Sequence, residues 1–117
     1  MTKTQNSKQY DLEERTFGFA KECRGLIKQL SRTISNMEDG KQLIRSSGSV
    51  HANYIEANES LSKKDYYHRV KICRKESKES RSWLRLLDTN NVNLRDMLIG
   101  ESTELMKIFG SIIEKGK

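Results

Sequence analysis

Ser62–Asn91, SKKDYYHRVKICRKESKESRSWLRLLDTNN, is the stretch that decides the fold. It opens on Ser62-Lys63-Lys64-Asp65, a hydroxyl followed three residues later by a carboxylate, which is the pattern of a capping box at a helix start. Tyr66, Val70, Cys73, Ser77, Ser80, Leu84 and Leu87 then recur at steps of four and three, forming one seam along a helix. Asp88-Thr89-Asn90-Asn91 supplies turn formers and ends it. A helix with one such seam is stable only when other helices cover it.

The same periodicity continues on both sides. Upstream, Asp11 and Glu14 read as a cap pair, and Leu12, Thr16, Phe19, Cys23, Leu26, Leu30 and Thr33 form a seam widened by Ala20, Ile27 and Ile34. Asn36-Met37-Glu38-Asp39-Gly40 reads as a connector, with Asp39 and Gln42 capping a second helix whose seam is Leu43, Ser47, Val50, Tyr54, Ala57 and Leu61. Downstream, Asn93 and Asp96 read as the cap of a fourth helix. Its seam is Leu94, Leu98, Glu101, Leu105, Ile108 and Ile112, broadened by Met97, Phe109 and Ile113. The chain has no proline to interrupt these helices. Nothing alternates with the two-residue period of a strand. Four segments of roughly 20–25 residues with short connectors predict an all-α, antiparallel up-down-up-down four-helix bundle. Residues 11–117 form its single domain, preceded by a polar, flexible tail over residues 1–10.

At 117 residues the chain suits one domain, and 34% apolar against 32% charged residues suits narrow seams. No window approaches the ~20 apolar residues of a membrane span, and no apolar signal core opens the chain, so a soluble, cytoplasmic protein is expected. Cys23 and Cys73 both fall on seams and read as small core residues with free thiols.

Charge is concentrated in the third helix. Lys63 to Arg85 holds nine of the 22 Lys and Arg but three of the 16 acids. The thirteen cations and thirteen acids elsewhere cancel, so this segment carries the whole net charge of +6. At 100° per residue the helix divides into three stripes. Besides the seam, Lys64, Lys71, Arg74, Lys75, Lys78, Arg81 and Arg85, with Tyr67 among them, form a basic stripe suited to phosphates. Tyr67 and His68 add rings for stacking on bases, and acids of the first helix (Glu13, Glu14, Glu22) stand as its counterweight. The last stripe contains Ile72, Glu76, Glu79, Trp83 and Leu86. It matches a second stripe on helix two, Arg45, Ser49, Ala52 and Glu56, bordered by Asn53 and Glu59. Small residues, a tryptophan and an Arg45–Glu56 ion pair make this a candidate self-association surface; the alternative is a wider intramolecular core.

The sequence points away from catalysis. Glu56-x-x-Glu59 and Glu76-x-x-Glu79 superficially resemble di-metal bundle sites, but His51 and His68 have the wrong spacing and the glutamates lie off the seams. Pairing with Arg45, Arg69 and lysines is the better account. No metal, cofactor, small-molecule substrate or catalytic residue is expected. Glu101, a carboxylate on a seam, is expected at the edge of the bundle.

From Asp11 to about Ile113 the chain resembles the small bacterial four-helix-bundle proteins encoded in intervening sequences of 23S rRNA genes. The residues carrying the resemblance are Asp11-Leu12-Glu13-Glu14-Arg15-Thr16, the run from Arg45 to Ala57 (RSSGSVHANYIEA), Ser62-Lys63-Lys64-Asp65-Tyr66, Lys71-Ile72, and Lys75-Glu76-Ser77 with Glu79, Trp83 and Leu84. The resemblance implies a non-enzymatic bundle that assembles into a ring, typically a homopentamer. It also implies kinship with the accessory variability protein of diversity-generating retroelements, a basic pentamer that partners a reverse transcriptase and nucleic acid. Arg45, Ser49, Asn53 and Glu56 fall on the helix-two motif, whose implied role is structural. The combined expectation is a ring-forming bundle that binds RNA or a reverse-transcriptase-type nucleoprotein through the basic face of helix three. The alternative is a structural or protein–protein adaptor that binds no nucleic acid.

Overall fold

Ser62 caps the third helix as the sequence predicts: its hydroxyl accepts from the Asp65 N–H at 3.1 Å. The computed structural model describes residues 11–117, and the tail expected over residues 1–10 lies outside the described residues. Four helices follow in order, α1 (Leu12–Lys28), α2 (Ile34–Asn58), α3 (Lys63–Leu86) and α4 (Val92–Lys115). No strand occurs among the described residues.

Cross-helix contacts fix the directions. Glu13 meets Asn58 and Thr16 meets His51 between α1 and α2. Ser46 meets Ser80 and Asn53 meets Arg69 between α2 and α3. Arg81 meets Thr103 between α3 and α4, and Arg15 meets Glu101 between α1 and α4. Moving forward along one helix, the contacts move back along its neighbour, as Gln29–Asn91 does against Arg15–Glu101 and Arg81–Thr103 against Arg74–Gly110, so adjacent helices run antiparallel and the chain forms a four-helix bundle.

The core follows the seams. Leu12, Phe19, Cys23, Leu26, Leu43, Val50, Val70, Cys73, Leu84, Leu98, Leu105 and Phe109 are all buried. The α2–α3 half is built from small residues. Ser77 Oγ donates to its own helix at Cys73 O (2.8 Å), and Ser80 Oγ donates to Ser46 Oγ at the same distance. Buried hydroxyls satisfied this way let two backbones approach without a desolvation penalty.

Several local expectations are corrected. Thr33 and Ile34 do not continue the first seam. Thr33 is the N-cap of α2, its Oγ1 accepting from Asn36 N at 3.1 Å, and Ile34 is 86% exposed. Asn36–Gly40 is therefore helix, not connector, and Asp39 caps nothing. Gly40 is buried there because α1 comes close, with Ile27 Cγ2 3.5 Å from where a Cβ would stand. Asp11 flanks α1 but makes no side-chain cap bond. Asn91, not Asn93, caps α4, accepting from Leu94 N at 3.1 Å. Leu61 lies in the α2–α3 turn, fully exposed, because α2 has already ended at Asn58.

Candidate nucleic-acid interface

An unbroken 24-residue helix carries the basic residues. Lys64, Lys71, Lys78 and Arg85 follow one another at seven-residue steps, about 10 Å apart along the axis, and Arg74 and Arg81 form a second row about 60° round towards α4. Lys64, Lys71, Arg74, Lys75, Lys78 and Arg85 are exposed. Among the described residues none of these six is ion-paired; the cations that pair are Arg15, Lys41, Arg45, Arg95, Lys107 and Lys117.

Two members sit differently. Arg81 is half-buried and donates to Thr103 Oγ1 at 3.3 Å, which ties it to α4. Tyr67 is half-buried, edge-on to Tyr66 with ring centroids 5.1 Å apart, and its ring lies so close to Gly116 that no Cβ would fit there. It is a packing residue. Arg74 lies along Gly110, its Nε 3.8 Å from where a Cβ would be. The floor of the stripe is thus partly made by α4, which sequence reasoning missed because no signal within α3 reports the register of its neighbour.

The acids of α1 do not offset the stripe. That helix stands diagonal to α3, packing against α2 and α4, and Glu13 is engaged by Asn58 Nδ2 at 2.7 Å. The field over the outer face of α3 is therefore open and positive, strongest at low salt.

The second candidate cluster closes within the chain. Arg45 Nη2 donates to Glu76 Oε1 at 3.4 Å and to Glu79 Oε1, and Trp83 Nε1 donates to Glu79 Oε1 at 3.5 Å. Asn53 Nδ2 donates to Ser49 O and Ser49 Oγ at 2.9 and 3.0 Å, while Arg69 Nη1 donates to Asn53 Oδ1 at 3.0 Å. The expected Arg45–Glu56 pair does not form: Glu56 is exposed, and Arg45 turns across to the buried Glu76. Glu76 is the more important partner, since a buried carboxylate needs its countercharge. The motif is thus a polar ladder that locks α2 to α3, with half-buried Trp83 and exposed Leu86 at its end.

Glu101 is half-buried between α1 and α4 and has a hydrogen-bond partner there, accepting from Arg15 Nε and Nη2 at 2.7 and 2.9 Å. This pair raises the Arg15 pKa, the hydrogen bond to Glu101 outweighing burial. Cys23 and Cys73 are free and buried, and burial pushes both thiols up to about 12. They are not nucleophiles at neutral pH. No described helix is long and apolar enough to cross a membrane, and no group of three or more His, Cys, Asp or Glu among the described residues could hold a metal.

Comparison with known proteins agrees with the four-helix fold. Residues 8–110 match the family described as 23S rRNA-intervening sequence protein. A crystal structure of a protein of unknown function from the S23 ribosomal protein family of Bacteroides thetaiotaomicron VPI-5482 is similar at 30% identity and a TM-score of 0.76, covering 86% of this chain and 96% of that one. No curated protein matches.

Proposed function

The chain belongs to the 23S rRNA-intervening sequence protein family, and from that premise we propose that it is a non-catalytic bundle that binds RNA or a nucleoprotein through the open face of α3. One observation carries the reading: six exposed cations along one face of a helix, with no carboxylate paired to any of them among the described residues. A face kept basic only for solubility would gain by interspersing acids, as α4 does with Glu104–Lys107 and Glu114–Lys117. The test is a salt titration of RNA binding. With all six cations seated on phosphates, log Kobs falls with log salt at a slope of about −5. Lys71→Glu, Arg74→Glu and Lys78→Glu together abolish binding while the helical circular dichroism is unchanged. Absence of wild-type binding at low salt would overturn the reading and favour an adaptor whose partner is an acidic protein.

A second proposal concerns assembly. Trp83 and Leu86, at the open end of the α2–α3 ladder, support self-association, and we propose a ring of five on the family resemblance alone. In a ring the basic faces multiply, and binding gains by avidity.

A further inference from the structure

Among the described residues, the basic stripe has no free aromatic ring to stack on successive bases. Tyr67, the one aromatic within it, is held edge-on to Tyr66 and against Gly116. Trp83 lies on the opposite flank of α3, bonded to Glu79, and Tyr54 and Phe109 are core residues. His68 is exposed but stands alone at the margin, and one ring cannot serve consecutive bases. Single-strand binders rely on such stacking platforms. What the stripe does offer is a rigid lattice of charge. From Lys64 to Arg85 it extends about 32 Å without a break, in two rows at fixed spacing.

A lattice of that kind gains most from a ligand whose charges are equally dense and equally fixed. A duplex carries the phosphates of two strands on a stiff frame, whereas a single strand would have to be ordered along the helix at an entropic cost. Resting on the RNA-binding reading above, we infer that the ligand is a base-paired RNA stem, held by its phosphate backbone with little regard to sequence, and not a loop or single strand.

The experiment compares fluorescence anisotropy of the full chain with labelled RNA hairpins and a labelled oligouridine of equal nucleotide count at low salt. The hairpins have a stem of about 16 base pairs, the length that small duplex-binding domains span. Two stems of unrelated sequence bind within about twofold of each other and at least about tenfold tighter than oligouridine. Tyr67→Leu, which keeps an apolar contact with Gly116, changes stem affinity less than about twofold, since no base stacks on that ring. Oligouridine binding as tightly as the stems, or a large loss with Tyr67→Leu in a folded variant, overturns the assignment of the stem but leaves RNA binding intact. A strong preference between the two stems overturns backbone recognition. If no RNA binds at all, both readings fall.

Discussion

Asn36 does more for this fold than its polarity suggests. Its Nδ2 donates to Ser31 O at 3.1 Å and to Asp88 O at 2.9 Å, and its Oδ1 accepts from Asp88 N at 3.0 Å. One buried amide therefore ties the α1–α2 turn to the α3–α4 turn. Asn36→Ala should cost about 2 kcal/mol, read as a lower urea midpoint with an unchanged slope, because backbone groups of both turns lose their partner. The sequence around Asn36 reads as a connector, and no local signal says otherwise, because its partner is 52 residues away. The thiols, by contrast, were legible, since Cys23 and Cys73 fall on apolar seams. Their ordinary pKa of 9.0 rises to about 12 by burial, so their contribution to stability is complete below about pH 9 and lost as pH climbs towards 12. Buried Tyr54, also raised to about 12, acts in the same direction. Thermal melts should hold level up to about pH 9 and then fall, and a thiol reagent at neutral pH should react only after the chain is unfolded.

Among the elements, α3 was read almost completely. Val70, Cys73, Ser77, Ser80, Leu84 and Leu87 are all buried, because each of these seam positions holds an apolar or small residue, whereas Tyr66 is half-buried and the off-seam Glu76 is buried against Arg45. The start of α2 reads as a connector for the converse reason. Its first buried residues are Asn36 and Gly40, which carry no apolar signal and resemble a turn. Two substitutions separate the alternatives: Thr33→Ala should lower stability by about 1 kcal/mol by removing the cap, whereas Asp39→Ala should change it little. The α1–α4 contact is the least extensive side of the bundle, and the Arg15–Glu101 pair spans it. Because that pair is about a quarter exposed, Glu101→Gln should cost no more than about 1 kcal/mol. Hydrogen exchange should show the loss in α1, leaving α2 and α3 protected.

For the whole molecule, the location of the charge was plain from counting and the bundle from periodicity, but the fate of each stripe was not. Whether Tyr67 would stack on a ligand or lie against Gly116, and whether Arg45 would reach Glu56 or Glu76, depends on helix register, which only the assembled core fixes. The assembly proposal belongs at this scale. Light scattering should give a multiple of the 13.6 kDa chain mass, and Leu86→Lys should shift it to one chain without loss of helicity; a wild-type monomer at micromolar concentration sinks the proposal. The two ends of the bundle differ in a way that matters for anyone cutting or extending it. At one end Asn36 clasps two turns and Asn91 Nδ2 donates to Gln29 Oε1 at 2.9 Å. At the other, the turn between Asn58 and Lys63 leaves Leu61 bare. A peptide tag spliced between Ser60 and Leu61 should leave the fold unharmed, and the same tag between Gln29 and Leu30 should not.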